Sequence, residues 1–190
     1  MEDARPGTPE RLAAAVGAAA EAGFSYSSTS EVGGLLRLLA ASKPGGVVAE
    51  SGTGFGVGTA WLHDGLAGDA RLVTVEQDAD RARRAAEIFA DDPRVTVLAG
   101  DWLLLAEHAP FDLFFCDGGG KREDPQRVVD MLAPGGVLVL DDFTPSVGWP
   151  PRFDGAVDEL RVFYLAHPAL VTVEILTTPT ASVVVAVRRG

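Results

Sequence analysis

One short stretch constrains the fold more than any other part of the sequence. It begins with the apolar run 47–49, continues with Glu50, and then carries glycine at every second position from Gly52 to Gly58. Residues 59–62 have the composition of a helix start. A buried strand, a glycine turn and a helix N-terminus together form a cradle for a nucleotide-like ligand, because glycine lets the backbone approach closely and the first helical N–H groups are unpaired.

The spacing of these glycines excludes three common ligand-binding turns. The dinucleotide fingerprint G-x-G-x-x-G/A fails in every register, because its last position falls on valine, threonine or tryptophan. A phosphate-binding Walker loop needs a lysine that the turn lacks, and a nucleophile elbow around Ser51 would need two glycines that are absent. The remaining pattern is E-x-G-x-G-x-G at 50–56, with a glycine turn that binds no ligand as the alternative.

Length and charge limit the class of protein. A chain of 190 residues is expected to form one domain (1–190), with a helical segment at 1–43 before an α/β core at 46–190. The formal net charge of −11 argues against nucleic acid or an anionic membrane surface as a partner. No apolar run reaches membrane-spanning length, so we expect a cytoplasmic protein.

Two helices are predicted before the glycine turn. Thr8 and Pro9 form an N-cap followed by proline, which predicts a helix from about Pro9 to Ala22. Residues 28–31 (Ser-Thr-Ser-Glu) match a capping box that opens a second helix. Its apolar residues follow the i, i+3, i+4, i+7 spacing of a buried stripe: Val32, Leu35, Leu36 and Leu39.

Strands and helices alternate along the rest of the chain. Five strands are predicted at 46–50, 71–76, 94–98, 111–116 and 137–140, with helices beginning at Asp78 and Asp124. A loop at 144–152, a helix from about 154 to 166 and an antiparallel hairpin of 170–176 with 182–188 complete the chain. This order predicts an α/β fold with a doubly wound, mostly parallel, seven-stranded sheet.

The residues at the strand ends are the candidates for function, because ligands on such sheets bind at the carboxyl edge. Six of them are acidic: Glu50, Glu76, Asp101, Asp117, Asp141 and Asp142. Carboxylates on one rim repel one another unless a cation or hydrogen-bond donors lie between them. Glu76 is placed to accept hydrogen bonds from a ribose diol, or else is a solvated acid. Asp101 and Trp102 are placed to bind an adenine ring, or else are a helix cap beside a core aromatic.

The ordered motifs resemble the class I S-adenosylmethionine (AdoMet) methyltransferases, in particular the catechol/caffeoyl-CoA type of small-molecule O-methyltransferase. They are Ser-Glu-Val-Gly-Gly at 30–34, E-x-G-x-G-x-G at 50–56, Val-Thr-Val-Glu at 73–76, Gly-Asp at 100–101, Phe-Asp-Leu at 111–113, Leu-x-Pro-Gly-Gly at 132–136 and Asp-Asp at 141–142. The resemblance implies AdoMet as methyl donor and a phenolic or catechol-like acceptor. It implies cofactor contacts by Ser30, Glu50, Gly52, Thr53, Gly54, Gly56, Glu76, Gln77, Asp101, Trp102 and Asp117.

The same resemblance implies a divalent metal, usually magnesium, held by Asp117, Asp141 and Asp142. Such a cation would clamp a vicinal diol and lower the pKa of the attacking hydroxyl. Two positions depart from the family pattern: Asp142 replaces an asparagine, and the lysine expected three residues after Asp117 is Gly120 here, with Lys121 one place later. Lys121 is a candidate general base beside Asp117 and Asp141 if the glycine loop bulges; an exposed lysine at a helix start is the alternative.

Three other functions stay open from the sequence. They are a metal-independent methyltransferase of the same fold, a non-catalytic AdoMet-binding protein, and a nicotinamide-dependent oxidoreductase, which the failed fingerprint disfavours. The resemblance also implies a homodimer formed through the N-terminal region. Trp149 lies in the loop after the fifth strand and is either an aromatic clamp on the acceptor or an ordinary loop residue.

Overall fold

The computed structural model describes residues 9–190, which form six α-helices around a seven-stranded sheet. The helices are α1 (Leu12–Glu21), α2 (Ser30–Ala41), α3 (Val57–Asp64), α4 (Ala79–Phe89), α5 (Pro125–Asp130) and α6 (Glu159–Ala166), with a 3₁₀ helix at Trp102–His108. The sheet contains β1 (Val47–Ser51), β2 (Arg71–Glu76), β3 (Val95–Ala99), β4 (Phe111–Cys116), β5 (Leu132–Phe143), β8 (Leu170–Thr178) and β9 (Ala181–Arg188). Two short strands, β6 (Arg152–Phe153) and β7 (Ala156–Val157), pair separately. No helix in the described part is long and apolar enough to cross a membrane.

The sheet has the strand order β3-β2-β1-β4-β5-β9-β8, with β1 to β5 parallel and β9 antiparallel to both of its neighbours. The chain runs outward from β1 to β3 and then returns to place β4 on the other side of β1. This reversal creates a topological switch point between β1 and β4. The predicted doubly wound, mostly parallel sheet with a closing hairpin is confirmed. β2 and β4 have the predicted bounds, whereas β1 and β3 begin and end one residue later.

The core consists of two apolar clusters, one on each face of the sheet. Successive strand residues point to opposite faces, so Val48 packs with Leu36 of α2 and Leu62 of α3, while Ala49 packs with Phe114 in the other cluster. Because helices cover both faces, the central strands are apolar runs without polar alternation. This burial holds the carboxyl ends of the strands in fixed relative positions.

The two N-terminal helices form, but their starts differ from the prediction. α1 begins three residues later than expected, and its predicted cap Thr8 lies outside the described residues. α2 is capped by Thr29, whose Oγ1 accepts from the backbone N–H of Val32 at 3.3 Å, and not by Ser28. Thr29 takes the extended backbone that a cap requires, with φ −71° and ψ 165°. Val32 and Leu36 of the predicted stripe are buried, and Leu35 and Leu39 are partly buried against the same apolar cluster.

The fifth strand is longer at both ends than the sequence predicts. Pro134, Gly135 and Gly136 were expected to separate a helix from the strand, but they lie inside β5, which begins at Leu132. The pairing of β5 with β4 shifts register in this region, so the strand accommodates proline and glycine at an irregularity. Local turn signals were therefore overridden by pairing with a neighbouring strand.

The helix predicted from about 154 to 166 is wrong at its start. Asp154 and Gly155 have positive φ values of 48° and 80° and form the turn between β6 and β7. Asp158 then caps α6 by accepting from the backbone N–H of Arg161 at 3.1 Å. The helix begins at Glu159 because the side chain of Asp158, and not that of Asp154, accepts a hydrogen bond from an N–H group of the first helical turn.

A fully buried arginine joins α6 to the antiparallel hairpin. The guanidinium of Arg161 donates to Asp158 Oδ2 at 3.1 Å and to Glu174 Oε1 on β8 at 3.0 Å. It also lies over the ring of Phe143, 5.0 Å from its centroid. Since Phe143 ends β5, this cluster fixes α6 and β8 beside the carboxyl end of that strand.

We expect Arg161→Met to lower the free energy of unfolding by about 3–5 kcal/mol, because it leaves two largely buried carboxylates without their cation. Urea denaturation followed by circular dichroism measures the change. The control is Arg83→Met on the exposed surface of α4, which should leave the unfolding free energy nearly unchanged. Equal stability of the two variants would contradict a structural role for the buried cluster.

Candidate functional site

A cavity of about 620 Å³ opens at the carboxyl edge of the sheet, beside the switch point between β1 and β4. Its size is that of a site for a nucleoside-sized ligand together with a small second molecule. Residues at or just beyond the carboxyl ends of the strands line it: Gly52, Gly54, Glu76, Gln77, Gly100, Asp101, Trp102, Asp117, Asp141 and Asp142. The structure therefore brings together five of the six predicted acidic residues.

Two glycine turns pack backbone against backbone to form part of the cavity wall. Gly52, after β1, has a φ of 93°, and a Cβ there would lie 2.7 Å from the backbone nitrogen of Gly118 after β4. The carbonyl of Ser51 accepts from the N–H groups of Asp117 at 3.0 Å and of Gly118 at 2.6 Å. Residue 52 must be glycine both for its left-handed backbone and for this close approach. The turn after β1 and the turn after β4 are therefore in direct backbone contact, and together they form one wall of the site.

Glu76, at the end of β2, ties the glycine turn to the start of α4. Its Oε2 accepts from the Gly54 N–H at 2.9 Å. Its Oε1 accepts from the Asp78 N–H at 2.9 Å and from the guanidinium of Arg81 at 2.7 and 3.1 Å. Because a carboxylate has about four acceptor positions, Oε2 retains room for a further donor from a ligand in the cavity.

Asp101 caps a helix, as one interpretation of the sequence expected, and both Asp101 and Trp102 line the cavity. Asp101 Oδ1 caps the 3₁₀ helix by accepting from the Leu103 N–H at 2.9 Å, and the residue also lines the cavity. The indole of Trp102 lies against the turn after β4. A Cβ on Gly119 would be 2.7 Å from its Cδ1 atom, and one on Gly120 would be 2.8 Å from its Cε3 atom. The glycines after Asp117 leave the space that this ring occupies.

Glu50 lies beneath the glycine turn and does not line the cavity. It is fully buried, and this burial raises its pKa to about 7. Its Oε2 accepts from the hydroxyls of Thr59 and of Thr74, the latter at 2.6 Å, while its Oε1 has no hydrogen-bond partner among the described residues. Glu50 therefore joins α3 to β2 under the site.

Lys121 is buried behind the acidic rim, with 5% of its surface exposed. Its Nζ donates to the backbone carbonyl of Asp141 at 2.9 Å and to Asp142 Oδ2 at 3.2 Å. The alternative of an exposed lysine at a helix start is wrong. Burial raises the pKa of Asp117 to about 8, with the negative charge of Asp142 adding to the effect, and burial also raises the pKa of Asp141.

The residues proposed to hold magnesium do not fit a metal ion in this arrangement. Within residues 9–190, no group of three or more His, Cys, Asp or Glu side chains is placed to hold one. The Asp142 side chain is 71% exposed, and its Oδ2 forms an ion pair with the Lys121 ammonium. Asp117, Asp141 and Asp142 therefore share the rim without converging on a common centre.

Some residues singled out in the sequence do not line the cavity. Ser30 is exposed in the first turn of α2, Thr53 is buried beside the second strand, and Gly56 precedes α3 with a φ of 91°. Trp149 is 64% exposed in its loop and is not part of the cavity wall. Of the predicted cofactor contacts, Gly52, Gly54, Glu76, Gln77, Asp101, Trp102 and Asp117 are the ones that reach the cavity.

The segment 24–29, which was not predicted to be part of the site, connects α1 to α2 and covers one side of the cavity. Phe24 packs edge-on against Phe55 with ring centroids 5.4 Å apart, and the guanidinium of Arg81 lies 5.4 Å from the Phe24 centroid. Arg81 was also missed. The available signals were two aromatics just before a helix cap, Phe24 and Tyr26, and an arginine five residues after a strand-end acid.

We expect Glu50→Gln to flatten the pH dependence of stability. The folded-state pKa of Glu50 is raised from an ordinary 4.5 to about 7, so its protonated form favours folding, and this advantage is lost as the pH rises between these values. Between about pH 5 and about pH 8 the wild type should lose about 2 kcal/mol more unfolding free energy than the variant. Urea denaturation across this range measures it, with the exposed Glu87→Gln as control. Parallel profiles for wild type and Glu50→Gln would contradict the assignment.

Known proteins resemble this chain in sequence. Residues 49–143, half of the chain, match the family described as Methyltransferase domain. A Mycobacterium avium protein named as an O-methyltransferase is 35% identical over 122 residues, which cover 59% of this chain and 54% of that protein. A Mycobacterium tuberculosis H37Rv protein, also named as an O-methyltransferase, is 34% identical over 122 residues, again 59% of this chain and 54% of that protein. The chain thus spans about half the length of these relatives.

Solved structures extend the similarity over nearly the whole chain. The O-methyltransferase TomG of Streptomyces achromogenes, determined in complex with SAM (AdoMet), has a TM-score of 0.76 and 25% identity, covering 96% of this chain and 91% of TomG. An O-methyltransferase of Bacillus cereus in complex with SAH (S-adenosylhomocysteine) shares the fold, with a TM-score of 0.78, 22% identity, and coverage of 98% and 94%. The family match includes the glycine turn and every acidic residue of the cavity. This chain therefore belongs to the methyltransferase domain family and has the class I fold.

Proposed function

We propose that this chain transfers a methyl group from AdoMet to an oxygen atom of a small phenolic or catechol-like acceptor. The observation that carries the proposal is the cavity of about 620 Å³ at the switch point, where a glycine turn, Glu76 and Trp102 adjoin a rim of aspartates. We propose that one domain does this in the cytoplasm, with residues 46–190 holding both ligands and the segment before them covering the cofactor. The net charge of −11 supports a small-molecule acceptor over nucleic acid or a membrane surface.

The half of the cavity beside β1, β2 and β3 fits the donor. The free acceptor position on Glu76 Oε2 suits a ribose hydroxyl, and Asp101 with Trp102 suits an adenine ring. The bare backbone at Gly52 and Gly54 allows a ligand to approach closely. When bound, AdoMet supplies an electrophilic methyl group on a positively charged sulfur, and the acidic rim favours that charge.

The half beside β4 and β5 is the proposed acceptor side. Asp117, Asp141 and Asp142 are placed there to orient a hydroxyl group. Asp117 is the proposed acceptor of the hydroxyl proton in its ionised form, and because burial raises its pKa to about 8 this form predominates only above about pH 8. The reaction forms the bond from the acceptor oxygen to the methyl carbon and breaks the bond from that carbon to sulfur. It yields S-adenosylhomocysteine, the methyl ether and one proton.

Calorimetry and product analysis test this proposal together. AdoMet and S-adenosylhomocysteine should each give a saturable binding heat, whereas NAD should give none. A panel of catechols and simple phenols should then yield S-adenosylhomocysteine and a methyl ether in equal amounts, identified by mass spectrometry. Absence of any heat with both AdoMet and its demethylated product would overturn the proposal. Tight cofactor binding without transfer to any acceptor would instead favour a non-catalytic AdoMet-binding protein.

We expect Glu76→Gln to weaken S-adenosylhomocysteine binding by a factor of about 10 or more, because a charged acceptor is replaced by a neutral one. Isothermal titration calorimetry measures the dissociation constant. Glu87→Gln, the same substitution on the exposed side of α4, should leave it unchanged. Circular dichroism verifies that both variants are folded. An unchanged dissociation constant in folded Glu76→Gln would remove Glu76 from the proposed cofactor site.

A further inference from the structure

A buried ammonium contacts two of the three residues that the family resemblance implies as ligands of a metal ion. Lys121 Nζ contacts the carbonyl oxygen of Asp141 and the carboxylate of Asp142, and the side chain is 5% exposed. We propose that Lys121 is a built-in substitute for the divalent cation, so that this chain binds no magnesium at the rim and transfers methyl groups without it. The kinetic part of this inference rests on the proposed function, whereas the metal-binding part does not.

The contacts of Lys121 leave little room for a metal at the same place. A cation bound at the end of β5 would draw on the Asp142 carboxylate, whose Oδ2 already accepts from Nζ at 3.2 Å. It would also lie close to a buried positive charge, and like charges in a partly buried site repel strongly. The three aspartates of the rim do not converge, as the geometry of the described residues shows. The ammonium and a magnesium ion are therefore alternatives for one position.

The backbone around Lys121 fixes the lysine in this position from two sides. The turn of three glycines before it packs against Trp102, and Gly120 has a φ of 103°. The carbonyl of Lys121 accepts from the buried hydroxyl of Tyr164 on α6 at 3.1 Å. The next residue, Arg122, is exposed. The lysine is thus directed inward by the loop in which the sequence departs from the family pattern.

The role that follows for Lys121 is to position other residues. The ammonium offsets the negative charge of the rim and holds the Asp142 carboxylate and the end of β5 in place. Lys121 does not line the cavity, so it acts on the acceptor through Asp141 and Asp142. A metal would offset the same charge from the same side of the rim, which is why the loss of the lysine should create a demand for one.

Magnesium binding tests the inference without any assay of activity. Calorimetry with MgCl₂, with and without S-adenosylhomocysteine, should detect no saturable binding to the wild type at millimolar concentration. Lys121→Met should melt at a lower temperature than the wild type, and MgCl₂ should raise its melting temperature by about 2 °C or more in a saturable way. Lys121→Arg should behave as the wild type does, since it keeps the charge. NaCl at matched ionic strength separates binding from screening.

Lys43→Met is the matched control, because Lys43 is the one other lysine of the sequence and donates to the Gly135 carbonyl near the start of β5, away from the rim. Its melting temperature should not respond to MgCl₂. Stoichiometric magnesium binding to the wild type would overturn the inference by itself, even if Lys121→Met did not fold. A folded Lys121→Met protein that is indifferent to magnesium would also overturn it.

Turnover separates this inference from the proposed function. EDTA should leave wild-type methyl transfer unchanged, and MgCl₂ should restore part of the rate that Lys121→Met loses, which a merely structural defect would not allow. Loss of wild-type turnover in EDTA, reversed by magnesium, would overturn the inference while supporting the proposed function. If no acceptor is methylated, the proposed function fails, and the magnesium titrations still decide whether Lys121 substitutes for a metal.

Discussion

The contact between the turn after β1 and the turn after β4 is the constraint on which the site depends. The Ser51 carbonyl accepts from two successive N–H groups of the second turn, and Gly52 meets Gly118 with no space for a side chain. These two strands are neighbours only because the chain reverses its direction of growth across the sheet. The crevice at such a reversal is where ligands of doubly wound proteins bind, and here it is an acid-lined cavity.

Two of the acidic side chains around the cavity form ion pairs with basic side chains that the fold places beside them. Arg81 compensates Glu76 on the cofactor side, and Lys121 compensates Asp142 on the acceptor side. Away from the cavity, Arg161 compensates two carboxylates that join α6 to the hairpin. Each cation lies on an element that follows a strand, so the same packing that places the acids also places their partners. Such pairing allows a strongly acidic protein to collect carboxylates at one edge of a sheet without their mutual repulsion opening it.

The sequence predicted most of the fold, and seven of its eleven predicted cofactor contacts line the cavity. Periodicity and caps were sufficient for β2, β4 and the Asp78 cap of α4, because these signals are local. They failed at Pro134–Gly136, because pairing with β4 extends the strand through residues that usually form a turn. They also failed at 154–158, because Asp158 and not Asp154 caps the helix. Glu50 was predicted to lie on the acidic rim of the site, but it is buried, because its side chain points below the glycine turn and accepts hydrogen bonds from two threonines.

By itself the sequence determined the α/β order, the alternating glycines and the set of acids at the strand ends, because each of these is encoded within a few adjacent residues. The tertiary structure alone decided which acids share the cavity, that Phe24 and Arg81 cover it, and that Lys121 turns inward to Asp142. These relations join residues far apart in the chain. They depend on strand order and on loop backbone conformation, which no local pattern specifies.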